Sequence, residues 1–286
     1  MNIEAISGAA TVAIACSIVF VVAARSWQAI ARTFLSQGSF PDAIMREAAQ
    51  RFRDELDGLA RTQATYLSAG LLFCFVYAVA YTFQASRLFA GYPAWQLKVL
   101  LAVLVLAAAL SLYRAWQTVV QFRQVRFLRD ANVAIGHSLQ RLVGGRSRVF
   151  HDVTTDAGII DHVVVGPGGL YAVNVVARRG ARNGSVQLHD NELHFSSGRL
   201  PVSLAPIAER TTQLESEFRQ LLKHAVRVRS VIAVPGWNAD NPTGDGHLVV
   251  NEKTLPMFAG WKSEADFLLD EDVDALQQEL TAKCRR

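Results

Sequence analysis

Cysteine is scarce, and the few present are badly placed for chemistry. The chain of 286 residues has 3. Cys16 and Cys74 fall inside apolar runs and Cys284 lies near the C-terminal end. No metal-ligand spacing joins them, which excludes a zinc knuckle and a disulfide framework. There is no internal repeat and no low-complexity tract. Charge is missing from long stretches of the first 115 residues, and no Lys or Arg precedes Arg25. The Lys-Ser/Thr pair that completes a phosphate loop does not follow the glycine cluster Gly166, Gly168, Gly169, so that cluster reads as a strand-to-strand turn.

What is present divides in two. Residues 1–130 hold 12 Lys/Arg against 7 Asp/Glu, net +5, and residues 131–286 hold 17 against 18, net −1, which together give the formal +4. The basic balance thus belongs to the apolar half, where arginines flanking apolar runs have a membrane explanation. The second half is not a basic nucleic-acid binder as a whole.

The uncharged runs are long enough to cross a bilayer. Ile6 to Ala24 is 19 residues without a charge, close to the ~20 that a hydrocarbon core requires. It reads as an anchor rather than a cleaved signal, because a signal needs a basic residue ahead of its apolar run. A second run lies at 64–86, within the 25 uncharged residues between Arg61 and Arg87. A third runs over 92–113, with Tyr92, Trp95, Tyr113 and Trp116 at its borders as interfacial aromatics. Its one charge, Lys98, is near the start, where it can snorkel to the headgroups. Six arginines lie between the first and second runs and four follow the third, over 114–129. Positive-inside reasoning then puts the N-terminus outside and the second half of the chain in the cytoplasm. The expected partner of residues 1–130 is the lipid bilayer, and the expected location a plasma membrane.

Between the first two runs, 41–60 reads as a cytoplasmic amphipathic helix with Pro41 in its first turn. Met45, Ala49, Phe52, Leu56 and Leu59 recur at spacings of four and three. Such a stripe suits self-association into a homo-oligomer, docking onto the C-terminal domain, or a helix lying on the lipid surface; two heptads are short for a coiled coil.

In residues 131–286 the pattern is α/β. No Gly or Pro interrupts the chain between Pro93 and Gly136, so the third run is expected to continue as a helix through AIGHSLQRLV and stop at Gly144-Gly145. RVFHDV alternates as a strand. IDHVVVGP and GLYAVNVV are continuously apolar, as strands covered on both faces are. A hairpin over 185–195 turns at Asp190-Asn191. An amphipathic helix over 205–224, the strands SVIAVPG and GHLVV, and a short helix over 273–280 complete a mixed-sheet sandwich.

The most informative stretch is IDHVVVGPGGLYAVNVV, 160–176. With Arg179-Gly180, the hairpin and the helix before SVIAVPG, it resembles the nuclease-related domain family, NERD, itself similar to the PD-(D/E)XK nucleases. The resemblance runs from about residue 131 to the mid-250s and implies a bacterial inner-membrane protein with a PD-(D/E)XK-like fold. Such a site holds divalent cations, usually magnesium, on at least two carboxylates, and a lysine orients the attacking water. The resemblance makes Asp161 the remnant of the catalytic set. The position of the helical Glu, after Gly136, holds His137, and the Glu-x-Lys positions hold Asn174 and Val176. Three of the four expected groups are therefore replaced, and the expectation is a degenerate site with no metal or other cofactor. Magnesium enters only under the alternative of a rearranged membrane-tethered nuclease, in which Arg178 stands in for the lysine and His137 serves as a ligand for a softer metal. A membrane scaffold is the third reading. His189, His194 and Asp152 have no spacing that joins them to Asp161. Arg178, Arg179 and Arg182 form a candidate binding patch for phosphate, on nucleic acid or anionic lipid, or for a protein partner.

Overall fold

A computed structural model describes residues 45–82, 94–180, 184–198, 200–240, 243–244, 246–261 and 266–284. The chain divides into two compact units, 1–42 with 56–123, and 43–55 with 124–286.

Two long helices carry the first unit's described residues, α1 (Gln50–Thr82) and α2 (Ala94–Leu142), and both continue into the second unit. The helices meet at Gly70, where a Cβ would lie 3.7 Å from the Cβ of Ser111. Small residues at such a contact let backbones approach closely. Along α2, Val103, Val105, Leu106, Leu110 and Leu112 are exposed. Among the described residues one helical stretch is long and apolar enough to cross a membrane, Ala102–Leu142. The expected span over 6–24 lies outside the described residues, as do the last residues of the expected second span.

The helix expected over 41–60 differs in both bounds. It starts at Gln50 and does not end at 60 but runs on to Thr82. Ala49 sets the start: its φ of 62° is left-handed, and an L-residue there cannot continue a right-handed helix. Ahead of it the chain is held by the domain, Arg46 N–H donating to the carbonyl of Cys284 at 3.0 Å.

In the second unit the mixed α/β expectation holds. The large sheet has the order β1-β2-β3-β7-β10-β9, formed by β1 (Arg148–Thr155), β2 (Gly158–Gly166), β3 (Gly169–Val175), β7 (Val228–Ala233), β9 (Thr243–Gly244) and β10 (His247–Val250). β1, β2 and β3 run antiparallel in sequence, whereas β3–β7 and β7–β10 are parallel. Parallel neighbours need a crossover, and the β3–β7 crossover contains three of the four strands of a small sheet and α3 (Ala205–Leu222). The small sheet orders β6-β5-β4-β8, with β4 (Ser185–His189), β5 (Glu192–Phe195), β6 (Val202–Ser203) and β8 (Asn238–Ala239). Its hairpin turns at Asp190 and Asn191, φ 49° and 59°, the pair of positive values that a two-residue type I′ turn requires.

Three apolar clusters close the unit. Leu214 and Phe218 of α3 and Val273, Leu276 and Leu280 of α4 (Asp270–Lys283) cover one face, against Phe150, Val163, Val165 and Ala172. Ile135 and Leu139, from the last turns of α2, cover the other face with Val164, Val173, Val231 and Leu248. β2 and β3 are thus buried on both sides, which explains their unbroken apolar sequence. The third cluster joins the small sheet to the large one through Ile232, Val249 and Trp237.

Candidate functional site: a carboxylate pair closed by an arginine

The β1–β2 hairpin determines the site. His151 pairs with His162 and Val153 with Ile160, so the register carries Asp152 opposite Asp161. Like charges directly opposed across a ladder repel, and here both side chains are buried, with relative exposures of 1% and 4%. Asp152 has a left-handed φ of 51°.

The counter-charge comes from α1. Arg51 donates Nη2 to Asp161 Oδ1, and its Nε lies 3.7 Å from Asp152 Oδ1. Its backbone N–H donates to Asp152 Oδ2 at 3.1 Å. Arg46 adds Nη1 to the carbonyl of Asp152 at 2.8 Å and to Thr154 Oγ1 at 3.2 Å. The second oxygen of Asp161 accepts the N–H of Val175 at 2.7 Å. Burial pushes both carboxyls above their ordinary range, and Arg51 opposes that rise at each of them. Arg210 of α3 is committed to the carbonyls of Ile159 and Pro206, at 2.7 and 2.9 Å.

Asn174 sits where Asp161's strand pairs with β3. His162 pairs with Val173, so the next step brings Asn174 opposite Asp161 on the same face. Asn174 is 2% exposed, and neither atom of its amide has a hydrogen-bond partner.

The reverse face of the hairpin carries a histidine pair. His151 Nδ1 and His162 Nδ1 lie 2.8 Å apart, and Gln140 Nε2 is 3.0 Å from His151 Nε2. Two neutral imidazoles at this distance share one hydrogen bond, in which one Nδ1 carries the proton and the other accepts it. Burial, and then His137, lower the His151 pKa to about 4; burial holds His162 well below the ordinary value. Both rings pack beneath the docked segment. A Cβ on Gly136 would meet the Cβ of Ala48 at 2.7 Å, and the rings of His162 and His151 at 3.3 and 3.5 Å.

The structure treats the other expected site residues differently. His137 is on the exposed side of its helix. Val176 packs against the third cluster, and its N–H donates to the carbonyl of Ala233 at 2.8 Å. The strand does not stay regular as far as Arg178, because β3 ends at Val175. Arg178 lies instead over the ring of Phe195, 4.8 Å to its centroid, and donates to the carbonyl of Leu200 at 2.8 Å. It therefore does not take the lysine's place. Arg179 lies over the ring of Phe127, 5.3 Å to its centroid, and Arg182 lies outside the described residues. Sequence reasoning set Asp152 aside, and the β1–β2 register brings it to Asp161; Arg51 and Arg46 are the site residues that it missed. A two-residue turn at Asp156-Ala157 was the available signal, since it alone sets Asp152 against Asp161.

Magnesium chemistry does not fit this arrangement. Both oxygens of Asp161 are spent on Arg51 and Val175, and the opposing acid faces the same guanidinium. Among the described residues, no three His, Cys, Asp or Glu side chains come together in a way that could hold a metal ion.

A mixed sheet covered by helices, with an acid at the head of its central hairpin, is an α/β arrangement that fits a nuclease-like domain. Residues 129–250, under half of the chain, match the family model of NERD, the nuclease-related domain. No curated protein and no solved structure matches the chain.

Proposed function

We propose that this chain is a multi-pass membrane protein whose nuclease-related domain has lost catalysis and serves as an interaction module. The observation that carries this reading is the pairing of Asp161 with Arg51, which occupies the one acid retained from the set that the resemblance implies. Without a lysine at 176 or a carboxylate at 174, nothing on β3 orients or activates an attacking water.

The membrane part of the proposal rests on three apolar runs, at 6–24, 64–86 and 92–113, and on the arginines between and after them. It places the N-terminus outside a bacterial inner membrane and the nuclease-related domain in the cytoplasm. The apolar exposure of α2 at Val103, Val105, Leu106, Leu110 and Leu112 supports it, since lipid is the solvent such a surface suits.

Phosphate on nucleic acid or anionic lipid, or a protein, is the partner class that the arginines beyond β3 suggest. Arg178 and Arg179 already stack on Phe195 and Phe127, so a partner would meet guanidinium groups held in place.

Plasmid nicking by the full-length protein with magnesium or manganese tests the catalytic half. No cleavage above background is expected. Cleavage that Asp161→Ala abolishes would replace this proposal with a membrane-tethered nuclease. Reporter fusions at the N-terminus and after residue 286 test the topology; a cytoplasmic signal at both ends would exclude an odd number of spans.

A further inference from the structure

One face of α2 changes its chemistry along its length. Val105, Ala109, Leu112, Trp116 and Val120 follow one another at spacings of four and three, and Arg123 and Phe127 continue the same row. Val105, Leu112, Trp116 and Val120 are each more than half exposed. Arg123 is exposed as well, and so is Arg126 beside the row. The row therefore passes from apolar to basic within about two turns. No Asp or Glu occurs on α2 before Asp130, and that residue is paired with Arg129 at 2.7 Å. On α1 the acids Asp54, Glu55 and Asp57 are matched in number by Arg51, Arg53 and Arg61, so the surplus of positive charge belongs to α2.

A loop of the second unit brings another guanidinium to this row. Arg179, in the connection after β3, is exposed and lies over the ring of Phe127, 5.3 Å to its centroid. The ring attracts the cation and holds it over α2, which lowers the entropy lost when a ligand is bound. Arg178 takes no part, being committed to Phe195 and to the carbonyl of Leu200.

Spacing along a single helix sets the depth of these charges. At about 1.5 Å per residue, Arg123 and Phe127 lie about 10 and about 16 Å beyond Trp116. Tryptophan at the end of a span sits at headgroup level. Arg123 and Arg126 then fall at the outer edge of the headgroups, and Arg179 within about one Debye length of them.

We propose that Arg123, Arg126 and Arg179 form a headgroup site for anionic phospholipid where α2 leaves the bilayer. The inference rests on the reading of α2 as a membrane span, and it commits the partner of that surface to lipid phosphate. A nucleic-acid duplex needs a broad field of positive charge, which a domain of net −1 over residues 131–286 does not supply as a whole. The apolar row that leads to these arginines suits lipid alone.

The test titrates the full-length protein in detergent with phosphatidylglycerol or phosphatidylcholine. Native mass spectrometry reads the affinity of the first lipid retained. The wild type is expected to prefer phosphatidylglycerol. Arg179→Gln should lower that preference by about fivefold, the share of one arginine at an anionic surface. Phe127→Leu keeps every charge and should lower it about twofold, because Arg179 loses its ring. Arg219→Gln, on α3 and paired with Glu215, should leave it unchanged. An intact preference in Arg179→Gln would overturn the proposal, as would an equal loss in Arg219→Gln, which would make the effect one of overall charge. A fluorescent DNA duplex whose binding weakens in Arg179→Gln, with the lipid preference intact, would hand the surface to nucleic acid. Alkaline carbonate treatment of proteoliposomes separates the two levels of the argument. Protein released by it would overturn the membrane reading and the lipid site together; protein retained without a lipid preference would overturn the lipid site alone.

Discussion

Arg51, in the first turn of α1, donates to Asp161, 110 residues further along the chain. The pair ties the second residue of a long helix to the middle of a sheet hairpin. Its removal leaves two buried acids facing each other. Arg51→Gln is expected to destabilise the domain by roughly 2–3 kcal/mol, towards the low side for a buried pair that loses one partner, because Arg51 is partly exposed. Asp161→Asn in the same chain should recover part of the loss. A double-mutant cycle in denaturant measures the coupling; additive effects would mean the contact contributes nothing.

The histidine pair gives the fold an acid limit. The His151 pKa is lowered to about 4 in the folded domain, below its ordinary value near 6.5. The unfolded chain therefore binds the proton first, and stability is full above about pH 6.5 and falls as pH drops towards 4. The loss attributable to His151 is on the order of 3 kcal/mol across that window. Melting temperatures from pH 7 to 4.5 should fall in the wild type and fall less in His151→Gln. Equal slopes would assign the acid sensitivity to other groups.

Gly136 is a packing position. An alanine there would put its Cβ 2.7 Å from that of Ala48. Alanine favours the helix by about 1 kcal/mol over glycine, yet overpacking costs typically 1–3 kcal/mol. We expect Gly136→Ala to lower the melting temperature and to speed hydrogen exchange at 45–51 more than in β2 or β3. A stabilised variant with the segment still protected would show that Ala48 moves aside freely.

Ala49 offers the opposite change. Its φ of 62° is costly for any residue with a side chain, and Ala49→Gly should stabilise the domain by roughly 0.5–1 kcal/mol after the entropy of the unfolded glycine is deducted. Chemical denaturation checks this; a loss of stability would mean that the alanine methyl's packing, at 1% exposure, outweighs the backbone strain.

Trp237 fills a slot walled by glycine. A Cβ on Gly180 would fall 1.9 Å from its ring, and one on Gly184 2.4 Å, while its indole N–H donates to the carbonyl of Arg178 at 2.8 Å. Gly180→Ala should therefore displace the ring, detected as a red-shifted tryptophan emission and a weakened association of the small sheet with Ile232 and Val249. Unchanged emission would mean the backbone at 180 yields instead.

Strands read well from sequence where burial alone determines them. β2 and β3 show their two-sided burial as unbroken apolar runs, and the Asp190-Asn191 turn shows its backbone chemistry. The site did not read as well, because it is made by pairing rather than by pattern. Asp152 belongs to it only through the β1–β2 register, and Arg51 only through a docking event that joins residues far apart in the chain. The amphipathic stripe at 45–59 does signal a buried face, and Ala49, Phe52 and Leu56 are indeed buried. Periodicity cannot show which surface receives such a stripe. Nor did it reveal the left-handed Ala49, since alanine ordinarily extends a helix.

The family match begins at residue 129, but the folding unit does not. A fragment cut there would keep Asp152 and Asp161 and discard both arginines that hold them. It would also expose the surface that Met45 covers in the cluster of Phe150 and Leu280. The same fragment would present two uncompensated acids to any cation in the buffer. Metal uptake by such a piece would reflect where the chain was cut, and would say little about the protein from which it came.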